Sequence, residues 1–478
     1  MGGEGENYRL SCENRREGQG WPRVCFQFHP SGLPSSGEGV RMFGFSGNFR
    51  RYFGIFLCLA FLSGCSQAGP PSVEECMVAL ENEDPYVTLG ALETLYRYGP
   101  EAAKAAGRVS LLLISPDPNL AAAAAKVLGA IGPEAAPVAI PSLRKALEDS
   151  RQSPIFGPVW ACAAEAIGSM GEEGVRTLLP LLESEDRGLV RAAAFGLHFG
   201  GPAAAEAVPA LIRVLARNDP LTRREAIFAL QGIGSAAKDA VPALISMLHC
   251  DDFHTQYWAC RALAAIGPDA QPAVPVLIVL TREGVTSVRR NAAAALGCIG
   301  PGIGMEGLLA LQAALSDPTE AVREQAVIAL GRLGSFAAEV VPTLQAVVRE
   351  RKLQCRALAA VAIWKITGHS EFAVQVIREE IYLPENQIQA ISCLGDLGPE
   401  AATATPDLIN LLESEDPDIR EVAAETVKKI GPAAKAAIPV LERLLFDRDP
   451  RVRSAAARAL QALGQPLPRA LEVPAEHL

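Results

Sequence analysis

The sequence predicts an all-α protein built as an α-solenoid superhelix of about twelve stacked helix pairs. Three observations carry that expectation. A glycine recurs at Gly99, Gly132, Gly171, Gly201, Gly234, Gly267, Gly300, Gly334, Gly368, Gly398, Gly431 and Gly464, mostly at spacings of 33 or 34 residues. An Asp-Pro pair stands near the middle of many of these intervals. Hydrophobic residues make up 49% of the chain and aromatics only 6%, so small aliphatic side chains dominate. A fixed period of this length marks a repeat array in which each unit buries its apolar faces against the next.

Each unit reads as two helices. Pro209, Pro242, Pro275, Pro342, Pro406 and Pro439 open the first helix, eight residues after a glycine. Proline suits the first helical turn because its missing N–H has no partner to lose there. Apolar residues follow at three-to-four spacing, as in Leu408, Leu411 and Leu412. Asp84-Pro85, Asp117-Pro118, Asp219-Pro220, Asp317-Pro318, Asp416-Pro417 and Asp449-Pro450 make the turn. The aspartate caps the second helix, and the proline cannot continue the first. Ile419, Ala423, Val427 and Ile430 give the second helix its apolar face. The closing glycine then permits the left-handed conformation that commonly ends a helix.

These units resemble HEAT repeats, in particular the short bacterial type of the phycobilin lyases, over residues 72–465. HEAT units carry an Asp in the inter-helix turn and an Arg early in the second helix. The matching pairs are Asp219 with Arg223, Asp317 with Arg323, Asp416 with Arg420 and Asp449 with Arg453; Arg191 and Arg289 match the Arg position alone. The resemblance implies that the second helices line the concave face. Two units depart from the pattern and are expected to be irregular. One closes at Gly171 and carries Pro154, Gly157 and Pro158; the other closes at Gly368 and replaces Asp-Pro with RERKLQCR.

The chain before the array reads as an export signal. Arg50 and Arg51 precede an uncharged run from Tyr52 to Gly64, too short for a membrane span, which needs about 20 apolar residues. A positive flank, a short apolar stretch and a small-residue exit make a signal peptide. Leu62-Ser63-Gly64-Cys65 resembles a bacterial lipobox, which implies lipidation at Cys65 and a membrane anchor. Ser66 at the next position implies sorting to an outer membrane. The expected organisation is an extension at 1–41, a signal peptide at 42–64 starting from Met42, a lipidated linker at 65–71, the array at 72–465 and a tail at 466–478.

No catalytic signature is found in the array, and no cofactor is expected. The protein is read as a non-enzymatic, monomeric scaffold that binds protein partners, exported and facing the periplasm. The net charge is −10, which argues against nucleic acid as a general partner. Two alternatives are weighed: a chromophore-binding enzyme like the phycobilin lyases, and a metal-binding protein. The metal candidates are His249, Asp252, His254 and Cys260, gathered in the stretch HCDDFHTQYWAC. Zinc accepts that mixture of ligands. The plainer reading makes Asp252 a turn residue and Cys260 a small core residue. Cys162, Cys298 and Cys393 are read as small hydrophobes in second helices, and Cys250 with Cys260 as the one disulfide pair to check.

The partner-binding candidates come from counting back from each glycine. The ninth position back holds Glu225, Trp258, Asn291, Gln325, Val422 and Ala455, and such variety suggests exposure. Adding its neighbours places Arg224, Phe228, Tyr257, Trp258, Arg261 and Arg290 in one patch on the concave face. Trp and Arg dominate binding hot spots.

Overall fold

The computed structural model describes residues 71–150, 157–217, 219–350 and 355–465. The signal peptide, Cys65, Pro154, the middle four residues of RERKLQCR and the tail lie outside those residues. The described chain is helical throughout, with no strand among the described residues. It begins at the helix Val73–Ala79 and ends at Pro450–Ala462, and short first helices alternate with longer second helices.

A regular unit shows how the sequence builds this. Asp219 ends one turn in an extended conformation and its carboxylate accepts from Thr222 N–H at 3.0 Å, capping the helix Pro220–Ile233. Asp84, Asp117, Asp186, Asp252, Asp416 and Asp449 cap in the same way. Ala226, Ile227, Ala229, Leu230 and Ile233 bury the inward side of that helix. Alanine lets neighbouring helices approach and costs little side-chain entropy.

The closing glycines all have positive φ. Most do not adopt the left-handed helical conformation expected. Gly267 has φ 75° and ψ −133°, and Gly431 has φ 70° and ψ −148°. This region is open to glycine almost alone, a stricter demand than the left-handed helix makes. Gly368 does adopt it, with φ 78° and ψ −3°.

The residues after most of these glycines hold structure that periodicity did not reveal. Gly201–Ala207, Gly234–Ala240 and Gly267–Ala273 are 3₁₀ turns. Their alanines Ala204, Ala207, Ala237, Ala240, Ala270 and Ala273 are fully buried. The connection is therefore a third packed element of these units. Pro118–Asp149, Phe253–Glu283 and Thr286–Ala314 are long and apolar enough to cross a membrane by length and composition, yet each is about half buried in the array.

Second helices pack on the second helices of the next unit along the whole array, much more than first helices pack on first helices. That asymmetry fits the expectation that the second helices lie on the inside of the curve. Backbones touch there. A Cβ at Gly168 would lie 1.9 Å from the Gly196 carbonyl oxygen, and one at Gly232 would lie 2.3 Å from the carbonyl oxygen of His198.

The arginines of the turn do two jobs, and one expected match changes. Arg223, Arg323, Arg420 and Arg453 donate to backbone carbonyls of the inter-helix turn, and Arg223 also to Leu215 at the end of the preceding helix, rather than to the capping carboxylate of their own turn. Asp317 is not the cap of its helix; Thr319 occupies that place. Asp317 instead receives a fork from Arg289 of the preceding unit, at 2.8 and 3.0 Å. Asp447 receives the same fork from Arg420, at 2.9 and 2.8 Å. Arg191 also changes place, standing one residue beyond the arginine position of the other units. The unit closing at Gly368 is irregular in what is described of it. Its Arg356 is buried and joins Glu379 and Glu380, and the helix Ser370–Glu380 follows Gly368 almost at once with no 3₁₀ turn between.

Candidate functional site

The site is built from one register on four consecutive second helices. These are Arg187–Phe199, Pro220–Ile233, Phe253–Ile266 and Thr286–Ile299. Their capping residues are Asp186, Asp219, Asp252 and Val285. Arg191, Arg224, Tyr257 and Arg290 each stand five residues beyond the cap. Phe195, Phe228 and Arg261 each stand nine beyond it. Positions four apart lie one above the other on a helix, so the two rows share a face. Repetition of the unit then lines the rows up across the array.

The rings make a continuous strip. Trp160, on the helix Gly157–Ser169, meets Phe195 edge-on at 5.8 Å between centroids. Phe195 stacks on Phe228 at 5.9 Å. Phe228 meets Trp258 edge-on at 5.7 Å, and Trp258 meets Tyr257 at 5.2 Å. Edge-on and offset contacts are the favoured ring geometries. Arg191 lies over Trp160 at 6.0 Å, and Arg261 over Trp258 at 5.1 Å and Tyr257 at 5.6 Å. These are cation–π distances. His198 joins from the side, stacked on Phe228 at 3.6 Å with its Nδ1 2.8 Å from the Phe228 carbonyl oxygen. Burial pulls its pKa below the usual histidine value, against the Phe228 contact, while nearby Arg261 adds to the lowering.

The six residues expected in the patch fall near one another, with one correction to their exposure. Trp258 is 8% exposed and Glu225 7%. Position nine back from the glycine is therefore turned into the stack in these units, and Ala455 is fully buried as well. Its varied composition reflects different packing against neighbouring units. Phe228, Tyr257, Arg224 and Arg261 are half-buried, and Arg290 is exposed. Arg224 pairs with Glu225 at 2.8 Å. Trp160, Arg191, Phe195 and His198 extend the strip; in the sequence Arg191 stands out only as a turn arginine, and the other three are not singled out. Counting from the cap would have found Arg191 and Phe195; Trp160 follows a segment whose register an insertion hides.

The metal candidates do not converge. Asp252 accepts from the N–H groups of His254 and Thr255 and from the Thr255 hydroxyl, at 3.2, 3.1 and 2.6 Å. The Thr255 hydroxyl, above all, holds its carboxyl below the usual range. His249 and His254 are exposed, and His254 lies against Phe253 at 4.0 Å. Cys260 sits about two turns further along the helix, fully buried, and burial pushes its thiol up to about 12. Among the described residues no three His, Cys, Asp or Glu side chains are grouped to hold a metal ion. Cys250 and Cys260 are free thiols, as are Cys76, Cys162, Cys298, Cys355 and Cys393. Cys162, Cys260 and Cys393 are buried among small core residues, while Cys298 is half-buried and 3.1 Å from Arg332.

Stacked helix pairs, 3₁₀ connections and a side-chain strip along the second helices define a helical-repeat solenoid. The chain belongs to the HEAT-repeat family. The family profile, described as HEAT repeats, matches residues 105–197, 208–297, 274–364 and 382–461. No curated protein matches the chain in sequence. Among solved structures, a Kap95:Nup1 complex has a TM-score of 0.55 at 10% identity, covering 82% of this chain and 61% of that one. Kap121p bound to Ste12p has a TM-score of 0.45 at 14% identity, covering 84% and 57%. An engineered protein is 24% identical with a TM-score of 0.33, covering 82% and 99%. The chain thus spans about three fifths of the two karyopherin chains. The Kap95 likeness supports the solenoid fold alone.

Proposed function

We propose that this protein is a non-enzymatic scaffold whose inner helices bind a protein partner, held at a membrane by a lipid on Cys65. The strip of rings and arginines from Trp160 to Arg290 carries the reading. Tryptophan and arginine combine large contact area with directed hydrogen bonds, which is why they dominate interfaces. Repeat solenoids present such rows as extended binding surfaces. The Kap95 structure, bound to Nup1, shows this fold class carrying a protein partner. The lipobox-like Leu62-Ser63-Gly64-Cys65 supports the anchor and, with it, export to the periplasm.

The test is affinity capture from native membranes with the wild-type chain and with Arg261→Ala plus Tyr257→Ala. The variant is expected to lose its partner while keeping its helical circular dichroism. An unchanged set of captured proteins would defeat the interface. For the anchor, Cys65→Ser is expected to move the protein from the membrane fraction to the soluble fraction. Retention in the membrane would count against lipidation.

A further inference from the structure

Resting on that reading of the inner face, the charges on four of its helices say what chemistry the partner brings. Helices Arg187–Phe199, Pro220–Ile233, Phe253–Ile266 and Thr286–Ile299 together carry seven arginines and a single carboxylate, Glu225. This occurs in a chain of net charge −10. Two of the arginines serve the fold: Arg223 binds backbone carbonyls and Arg289 binds Asp317. Arg224 holds Glu225. Arg187, Arg191, Arg261 and Arg290 have no carboxylate at ion-pair distance among the described residues. Arg187 and Arg290 are exposed, and the Nε of Arg191 is buried with no hydrogen-bond partner among the described residues.

The sign reverses further along. The equivalent positions five beyond the cap are Glu324 on the helix Glu320–Arg332 and Glu421 on Pro417–Ile430. A long uniform polyanion would meet these carboxylates and the acidic remainder of the chain. A short acidic stretch within a protein would not.

We infer that the inner face of these four units docks an extended acidic segment of a partner protein, with an apolar side chain against the Phe228–Tyr257 rings. Successive second helices pack about 10 Å apart, and an extended chain advances about 3.3–3.6 Å per residue. One unit therefore spans about three residues of the partner. Arg191 and Arg224 lie in adjacent units and Arg290 two units beyond. Carboxylates at the first, fourth and tenth residues would meet all three, with an aromatic residue at the seventh beside Tyr257. Arginine binds carboxylate through a planar fork, so Arg224 can keep Glu225 and still donate outward.

The probe is a fluorescent peptide of about ten residues, with Glu at the first, fourth and tenth positions and Phe at the seventh. Anisotropy with the full chain is expected to show binding that weakens with salt. It should be at least about tenfold tighter than for the same peptide with Lys in place of Glu. Arg290→Glu alters an exposed side chain and is expected to weaken binding about tenfold with unchanged circular dichroism, and Glu421→Arg to leave it alone. Equal binding of the lysine peptide, or tighter binding of a single-stranded oligonucleotide, would overturn the assignment. A photo-crosslinker at Tyr257 separates the two readings in cells. Crosslinks that persist in excess Glu peptide overturn the acidic segment and leave the interface standing. An absence of any protein crosslink overturns both.

Discussion

Arg261 lies over the rings of both Trp258 and Tyr257 and donates from Nη1 to the Tyr257 hydroxyl at 2.9 Å. Its head group is held in place before any partner arrives. A preorganised arginine loses less freedom on binding than a free one. The same geometry divides the strip into residues that hold the array and residues that face outward.

That division predicts different outcomes for neighbours. Trp258 is buried, so Trp258→Ala removes a packed ring and is expected to cost about 3–5 kcal/mol. Arg261→Ala is expected to cost about 1 kcal/mol, from the lost hydrogen bond and cation–π contact. Denaturant melts of the two variants check this. Equal losses would mean that Arg261 is part of the core.

The forks from Arg289 to Asp317 and from Arg420 to Asp447 tie consecutive units together. Asp317→Asn is expected to cost about 2–3 kcal/mol, as a largely buried pair loses one charge. Hydrogen exchange should rise first in the helices Thr286–Ile299 and Glu320–Arg332 if the junction is what weakens. Burial alone would raise the Asp317 carboxyl, but Arg289 and Thr319 outweigh it and hold it low; Asp447 is held low chiefly by Arg420. Carboxyls lowered on folding add stability that is complete above their unfolded value of about 4 and lost as pH falls through the folded value. The wild-type chain should therefore lose stability below about pH 4, and Asp317→Asn should flatten that loss.

His198 carries the opposite proton preference to a paired histidine. Burial lowers its pKa, so the folded state favours the neutral ring. Its contribution is complete above the unfolded value of about 6.5 and declines as pH falls below it. NMR titration should give a pKa below 6.5, with Phe228 resonances following the same curve. A value above 6.5 would contradict the stack. Phe228, the Phe228 carbonyl and Arg261 are the neighbours to watch.

The closing glycines predict a contrast between two substitutions that look alike on paper. Gly368 lies in the left-handed helical region, which Asn tolerates. Gly267 lies where only glycine is at ease. Gly267→Asn is expected to lower the melting temperature by several degrees more than Gly368→Asn. Similar shifts would mean that the backbone relaxes freely at Gly267.

Periodicity made most of this fold legible. Helix pairs, aspartate caps and closing glycines follow from local chemistry that repeats in every unit, so each occurrence supports the others. The 3₁₀ turns were hidden because segments such as Gly-Pro-Glu-Ala-Ala-Lys-Ala, with a proline and scattered charges among alanines, read as linkers with no helical period. Asp317 misled because an Asp-Pro pair two residues early looks like the usual turn. Trp258 misled because a variable position looks exposed when its neighbours differ from unit to unit. The strip was half legible: Arg224 to Arg290 stood out against an acidic chain, whereas the Phe195 and Trp160 end needed the register that only packing supplies. The membrane anchor rests wholly on the stretch before the described residues.

The most direct measurement is a photo-crosslinking scan in native cells. Probes would stand at Tyr257, Arg261 and Arg290 on the inner face, and at Val279 and Leu309, which are exposed on first helices. Binding at the inner face predicts one recurring protein adduct from the first three positions and none from the last two. Adducts from Val279 and Leu309 alone, or equally from all five positions, would contradict it.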